Sequence, residues 1–124
     1  MRTLKTLLSL IVLAIIMSSC TYSWIVEEDV IDPSDPDAPE VSFSSEIAPI
    51  FSKCTGCHNT GGQTPDLTAA NAYSSLTSSS LYVNTSEPES SLIYTKPTGN
   101  HFATYSASEA SLVLTWITQG AKNN

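Results

Sequence analysis

The sequence predicts an all-α fold for one small domain over residues 42–124, and three observations support this prediction. Apolar residues recur with the spacing of one helix face after Ser44 and again after Ser106. Helix-starting serines and a stopping glycine flank these runs. The only β-leaning run, Leu81-Tyr82-Val83, is shorter than a typical strand. The whole chain has 124 residues, which leaves room for one such domain.

Ser44 or Ser45 is predicted to cap the first helix. It contains Pro49, which is tolerated only in the opening turn, where the missing amide costs no intrahelical hydrogen bond. The residues that share its apolar face are Ile47, Ile50, Phe51 and Cys54.

Two shorter helices are predicted in the middle of the domain. One covers residues 68–76. The other opens at Ser86-Glu87-Pro88 and carries the apolar residues Leu92, Ile93 and Tyr94. Proline is favoured near the first helical position, which supports this start.

The last helix has the clearest boundaries. Ser106 and Glu109 have the spacing of a capping box, and Gly120 provides a stop. Domains of this size usually need a metal, disulfides or a buried prosthetic group, because four short helices enclose a small core. The predicted buried stripe of the last helix contains Leu112, Val113, Trp116 and Ile117.

Residues 1–19 have the pattern of an export signal. Arg2 and Lys5 precede an apolar run from Leu7 to Met17, which is shorter than the about 20 residues that span a bilayer. Cys20 follows two serines and resembles the lipidated cysteine of bacterial lipoproteins. That resemblance implies cleavage before Cys20 and a lipid anchor on its thiol. The alternative is an ordinary secretory signal with a chance cysteine.

Residues 20–41 are predicted to form an acidic, proline-rich tether behind the lipidated cysteine. The segment contains seven acids and no base, and Pro33, Pro36 and Pro39 recur at every third position. Such a composition buries too little apolar surface to offset the entropy of ordering. We therefore expect an extended, disordered tether. A sorting or export signal is the alternative.

The charge of the domain excludes some functions. Residues 42–124 contain three lysines and five acids, with no basic stripe that could bind nucleic-acid phosphates. They also lack the Gly-x-Ser-x-Gly elbow of a hydrolase and any second acid/base constellation. The sequence therefore predicts neither nucleic-acid binding nor an enzyme, and no small-molecule substrate is expected.

The motif CTGCH, Cys54 to His58, contains the chemically special residues. A disulfide would leave His58 unexplained, and a thioredoxin-like dithiol needs a βαβ setting. A zinc site usually takes two spaced ligand pairs, and besides the motif, residues 42–124 contain only His101 as a further histidine or cysteine. C-x-x-C-H is the attachment signature of c-type haem. We therefore predict one covalent haem c on Cys54 and Cys57, with the iron bound by His58.

With this motif, residues 42–124 resemble the small monohaem c-type cytochromes. The stretches FSSEIAPIF and LTWITQGAKNN look like those of cytochrome-c-like domains in bacterial envelope lipoproteins. Thr64-Pro65-Asp66-Leu67 looks similar to the Gly-Pro-Asn-Leu-like stretch of that family. The resemblance implies that the Pro65 carbonyl accepts a hydrogen bond from His58 and that Leu67 packs on the porphyrin. A plain turn proline is the alternative for Pro65.

The second axial ligand of the iron is expected to differ from the methionine usual in that family. Met1 and Met17, the only methionines, both lie in the predicted signal. His101 lies in the loop before the last helix, where the family carries its methionine, and imidazole is a common iron ligand. We expect His58 and His101 to bind the iron from opposite faces. The alternatives are a five-coordinate iron, or an iron bound by water, Lys53, Lys96 or Lys122.

These features predict a membrane-tethered monohaem cytochrome of the bacterial cell envelope, periplasmic or associated with the outer membrane. It would transfer single electrons between redox proteins through transient contacts. One alternative is a ligand-binding haem sensor or weak peroxidase with a labile sixth position. Another is a haem that only stabilises the fold of an accessory lipoprotein.

Overall fold

The computed structural model describes residues 30–124, and all regular secondary structure in this range is helical. No strand occurs within these residues, so the predicted all-α class is confirmed for them. None of the helices described for this range has the length and apolar character needed to cross a bilayer. The predicted signal peptide, Cys20 and the first part of the predicted tether lie outside the described residues.

Residues 43–54 form a continuous first helical segment, which is followed by three α-helices and one short 3-10 helix. The first helical segment consists of a π-helix at Phe43–Ile47, helix α1 at Ala48–Ile50 and a 3-10 helix at Phe51–Cys54. The later elements are α2 at Ala72–Thr77, a 3-10 helix at Pro88–Ser90, α3 at Leu92–Thr98 and α4 at Ala107–Thr118.

The first helical segment is capped two or three residues earlier than the predicted Ser44 or Ser45. Its N-cap is Ser42, whose hydroxyl accepts the N–H of Ser45 at 3.4 Å. The carboxylate of Glu46 accepts the N–H of Ser42 at 2.7 Å in return. This reciprocal cap is similar to a capping box, but its two side chains are four residues apart. The extra residue accompanies the wider turn of the π-helix.

Side-chain hydrogen bonds shorten the two middle helices relative to the prediction. Helix α2 begins at Ala72 rather than Thr68, whose N–H and hydroxyl instead donate to the Asp66 carboxylate at 2.9 and 2.6 Å. The predicted third helix is interrupted at Ser91, whose backbone is extended, with ψ 130°. The buried Ser91 hydroxyl accepts the N–H of Asn84 at 2.9 Å, which stabilises this break.

Helix α4 has the predicted start and stop. The Ser106 hydroxyl accepts the N–H of Glu109 at 3.2 Å, and the Glu109 carboxylate accepts the N–H of Ser106 at 2.8 Å. Gly120 has φ +97°, in the region that favours glycine after a helix. Of the predicted buried stripe, Val113, Trp116 and Ile117 are buried and Leu112 is half-buried.

An aromatic cluster packs the first helical segment against α4. The Phe43 ring lies 5.3 Å from Trp116, 5.1 Å from Tyr73 and 6.5 Å from Phe51, measured between ring centroids. Trp116 is 1% exposed, and its indole N–H donates to the carbonyl of Lys122 at 2.9 Å. The start of the first helical segment is therefore held beside the end of α4.

Residues 30–41, which we call the strap, are the described part of the predicted tether, and they lie against α4. Gln119 donates its amide to the Pro39 carbonyl and accepts the N–H of Val41, both at 2.9 Å. The Ser111 hydroxyl donates to the carbonyl of Ile31. Val41 is 2% exposed. Residues 31–41, for which we expected a disordered tether, are thus hydrogen-bonded to α4 or its C-cap at three backbone positions.

We predict that Gln119→Ala releases the strap. The variant loses two hydrogen bonds, each worth about 0.5–1.5 kcal/mol, so the free energy of unfolding should fall by about 1–3 kcal/mol. Urea unfolding measures this loss, and limited proteolysis within residues 30–41 should become faster. Thr118→Ala is the matched control, because the Thr118 hydroxyl donates to the Leu114 carbonyl within the same helix. Equal strap protection in both variants would contradict the prediction.

Candidate functional site

Five of the six residues predicted to bind a cofactor line one cavity of about 270 Å³. These five are Cys54, His58, Pro65, Leu67 and His101. The sixth, Cys57, is exposed and does not contribute to the wall. The structure therefore brings together residues from the motif, from the following loop and from the loop before α4.

Backbone hydrogen bonds fold the CTGCH motif into a tight turn at the end of the first helical segment. The N–H groups of Cys57 and His58 both donate to the Cys54 carbonyl, at 3.2 and 2.9 Å. The chain then turns back, so that a Cβ added to Gly62 would lie 2.5 Å from the Cys57 carbonyl oxygen. Both thiols are free rather than joined in a disulfide. This turn places the His58 ring in the cavity wall.

The His58 ring is fixed through its Nδ1 atom. Nδ1 lies 3.0 Å from the Pro65 carbonyl oxygen, which can only accept a hydrogen bond. Nδ1 therefore carries the proton, and the lone pair of Nε2 is free to bind a metal. The backbone is held as well, because the N–H of Leu67 donates to the His58 carbonyl at 2.9 Å. The hydrogen bond that the family resemblance implies is thus present.

His101 lies beside His58 in the same cavity wall. The centroids of the two imidazole rings are 6.1 Å apart, and the ring planes are tilted by 47°. His101 is exposed and belongs to the loop between α3 and α4, whereas His58 is half-buried. The two rings therefore approach each other from a fixed turn and from an exposed loop.

An ion pair flanks the cavity beside Cys54. The Nζ atom of Lys53 lies 2.5 Å from the Glu109 carboxylate and 5.7 Å from the centre of the Tyr105 ring. Burial raises the pKa of the Cys54 thiol, an effect that Lys53 opposes and Glu109 reinforces. Burial also opposes ionisation of Glu109, but hydrogen bonds from Lys53 and the Ser106 N–H outweigh it and lower the Glu109 pKa.

The remaining wall is mostly aromatic and aliphatic. The Tyr105 hydroxyl is buried without a hydrogen-bond partner among residues 30–124, and burial raises the pKa of its phenol. The sequence indicated Leu92 and Ile93 only as apolar helix residues and Thr64 only as part of a family-like stretch. It gave Lys96 only as an alternative iron ligand, and it indicated no role at the site for the other wall residues. The wall residues that the predicted set did not include are Thr64, Tyr82, Leu92, Ile93, Lys96, Pro97 and Tyr105.

Within the described part of the chain, no three His, Cys, Asp or Glu side chains form a group that could hold a bare metal ion. Of these four residue types, the cavity wall contains His58, His101 and Cys54. No family model matches the chain, and no curated protein or solved structure matches it.

Proposed function

We propose that residues 42–124 form a small c-type cytochrome, which carries one covalent haem and transfers single electrons. The observation that carries the proposal is the meeting of His58 and His101 in one largely apolar cavity that Cys54 also lines. The bound haem would supply a one-electron carrier. The chain would supply the attachment sites, the axial ligands and the apolar surroundings.

The separation of the two histidines fits ligation of one metal ion. Two metal–nitrogen bonds of about 2 Å and two imidazole radii of about 1 Å sum to about 6 Å. The observed distance between the ring centroids is 6.1 Å. Imidazoles that share an axis through a metal can rotate about it, so the 47° tilt is compatible with this arrangement.

The other residues of the cavity also suit a porphyrin. Cys54 and Cys57 are free thiols on either side of a tight turn, as thioether attachment requires. Leu67 is 4% exposed and provides an apolar contact beside His58. The hydrogen bond from His58 Nδ1 to the Pro65 carbonyl raises the basicity of the imidazole. These features support Cys54, Cys57, His58, Pro65 and Leu67 as the residues that hold the group.

Two imidazole ligands favour electron transfer over reactions at the iron. His58 and His101 would together hold the iron and would leave no ligand position for other molecules. Imidazole in place of methionine also lowers the expected reduction potential. We therefore propose that the partners are redox proteins of the cell envelope, which bind transiently. We expect no small-molecule substrate.

Covalent attachment is tested on the mature protein, produced with a working haem-maturation system. We expect one haem per chain that survives denaturation, measured by mass and by absorbance. Replacing both Cys54 and Cys57 with Ser should give a protein without covalent haem, because both thioether bonds are lost. Cys57→Ser alone should retain one bond. A wild-type protein that is colourless after such expression contradicts the proposal.

Ligation by His101 is tested by His101→Ala. The wild-type haem protein should be low-spin, and the variant should become high-spin because one strong-field ligand is lost. Optical and magnetic spectra measure the change. Asn100→Ala is the matched control, since Asn100 is an exposed neighbour in the same loop and does not line the cavity. A low-spin spectrum that survives His101→Ala would exclude this role of His101.

The exposure of His101 supports one alternative, a ligand-binding haem protein such as a gas sensor or weak peroxidase. An exposed loop ligand is more easily displaced than His58, whose ring and backbone are both hydrogen-bonded. Carbon monoxide binding to the reduced protein distinguishes the two functions. Rapid binding by the wild type favours the sensor or peroxidase, and binding only after His101→Ala favours the electron carrier.

We also propose that the protein is attached to a membrane of the bacterial envelope through a lipid on Cys20. The proposal depends on the signal pattern of residues 1–20. Cys20→Ser should move the protein from the membrane fraction to the soluble periplasmic fraction, because the acylated thiol is lost. Retention in the membrane fraction after this substitution would contradict lipid anchoring at Cys20.

A further inference from the structure

Asp66 lies between the two residues that hold His58. The preceding residue, Pro65, accepts the hydrogen bond of the His58 ring at 3.0 Å. The following residue, Leu67, donates its N–H to the His58 carbonyl at 2.9 Å. A displacement of the backbone at Asp66 would therefore disturb both contacts of His58.

The Asp66 side chain is held by four hydrogen bonds from three residues. Its Oδ1 atom accepts the N–H of Thr68 at 2.9 Å and the Thr68 hydroxyl at 2.6 Å. Its Oδ2 atom accepts the Thr60 hydroxyl at 2.7 Å and the Asn71 amide at 2.9 Å. The Asn71 amide also lies 3.2 Å from the Thr60 hydroxyl, and the N–H of Asp66 donates to the Ser75 hydroxyl at 2.8 Å.

These bonds connect the turn after the motif, the segment from Pro65 to Thr68 and helix α2. Thr60 belongs to the turn just after the motif, whereas Ser75 lies in α2 and Asn71 is its N-cap. The carboxylate therefore holds the segment from Pro65 to Leu67 against both the motif and α2. Hydrogen bonds from the Thr68 and Thr60 hydroxyls keep the pKa of Asp66 well below its usual range. The group stays ionised near neutral pH and remains a full acceptor for all four bonds.

We propose that Asp66 is a positioning residue for His58, because its carboxylate fixes the Pro65 carbonyl opposite Nδ1. This fixes the proton on Nδ1 and turns the lone pair of Nε2 towards the cavity. The consequence for an iron ligand rests on the proposed function: a firmly hydrogen-bonded imidazole is a stronger donor and lowers the reduction potential. The effect on the ring itself does not require the haem.

The test is the exchange of the His58 Nδ1 proton with solvent, measured by NMR on the full chain as purified. Asp66→Ala should accelerate this exchange several-fold, up to about tenfold, which is the effect expected from loosening one hydrogen bond. In haem-loaded protein the same substitution should raise the midpoint potential. Unchanged exchange in folded Asp66→Ala protein would overturn the proposal.

Two further variants distinguish the positioning effect of Asp66 from the effect of its charge and from a general loss of protein stability. Asp66→Asn removes the charge but keeps an oxygen acceptor for Thr68, so it should retain slower exchange than Asp66→Ala. Asp32→Ala is the matched control: Asp32 accepts the N–H and hydroxyl of Ser34 at 2.8 and 2.7 Å, but it lies in the strap. If Asp32→Ala accelerated the exchange as much as Asp66→Ala does, the cause would be a general loss of protein stability and not a displaced Pro65 carbonyl.

A milder variant keeps the test valid if Asp66→Ala fails to fold. Thr60→Val removes one donor to the Asp66 carboxylate and keeps the shape of the side chain, so it should give a smaller acceleration. No acceleration in folded Thr60→Val and Asp66→Asn would then overturn the proposal. Colourless protein that still shows the expected exchange differences would contradict the haem proposal alone. Haem protein without these differences would contradict only the role of Asp66.

Discussion

The packing of the first helical segment along α4 determines where the cavity can form. Phe43 meets Trp116 near one end of this contact, and Lys53 meets Glu109 near the other. The motif begins at the residue after Lys53, and Tyr105 ends the loop that leads into α4. Both therefore arrive at the same end of the helix pair. The aromatic cluster at the opposite end stabilises this arrangement without occupying the cavity.

The walls of the cavity depend on polar side chains that end or interrupt helices. The extended backbone of Ser91 separates the 3-10 helix from α3. The N–H groups of Leu92 and Ile93 then donate to the carbonyls of Leu81 and Tyr82. The Asp66 carboxylate holds the loop before α2, and this loop contributes Pro65 and Leu67 to the cavity wall. Serine, threonine, asparagine and aspartate side chains compete with helical hydrogen bonds in this way. The many hydroxyl residues of this chain thus contribute to the geometry of the site.

The features that could be predicted from the sequence were those set by residues close together in the chain. The capping box at Ser106 and the stop at Gly120 gave α4 its correct limits because both signals act within one helical turn. Placement of the strap depends on Gln119, which lies 80 residues after Pro39 in the sequence, and no local pattern predicts that contact. The same holds for Tyr105, whose burial results from packing. His58 and Pro65 are seven residues apart, and family resemblance rather than periodicity indicated their hydrogen bond.

The two proposed iron ligands are held unequally, and this difference bears on function. His58 is constrained by Pro65 at its ring and by Leu67 at its backbone, whereas His101 belongs to an exposed loop. Any exchange of an axial ligand should therefore occur on the side of His101. An electron carrier needs that side to stay closed, while a sensor or peroxidase needs it to open. The two functions thus share every other residue of the site and differ in how long His101 remains bound.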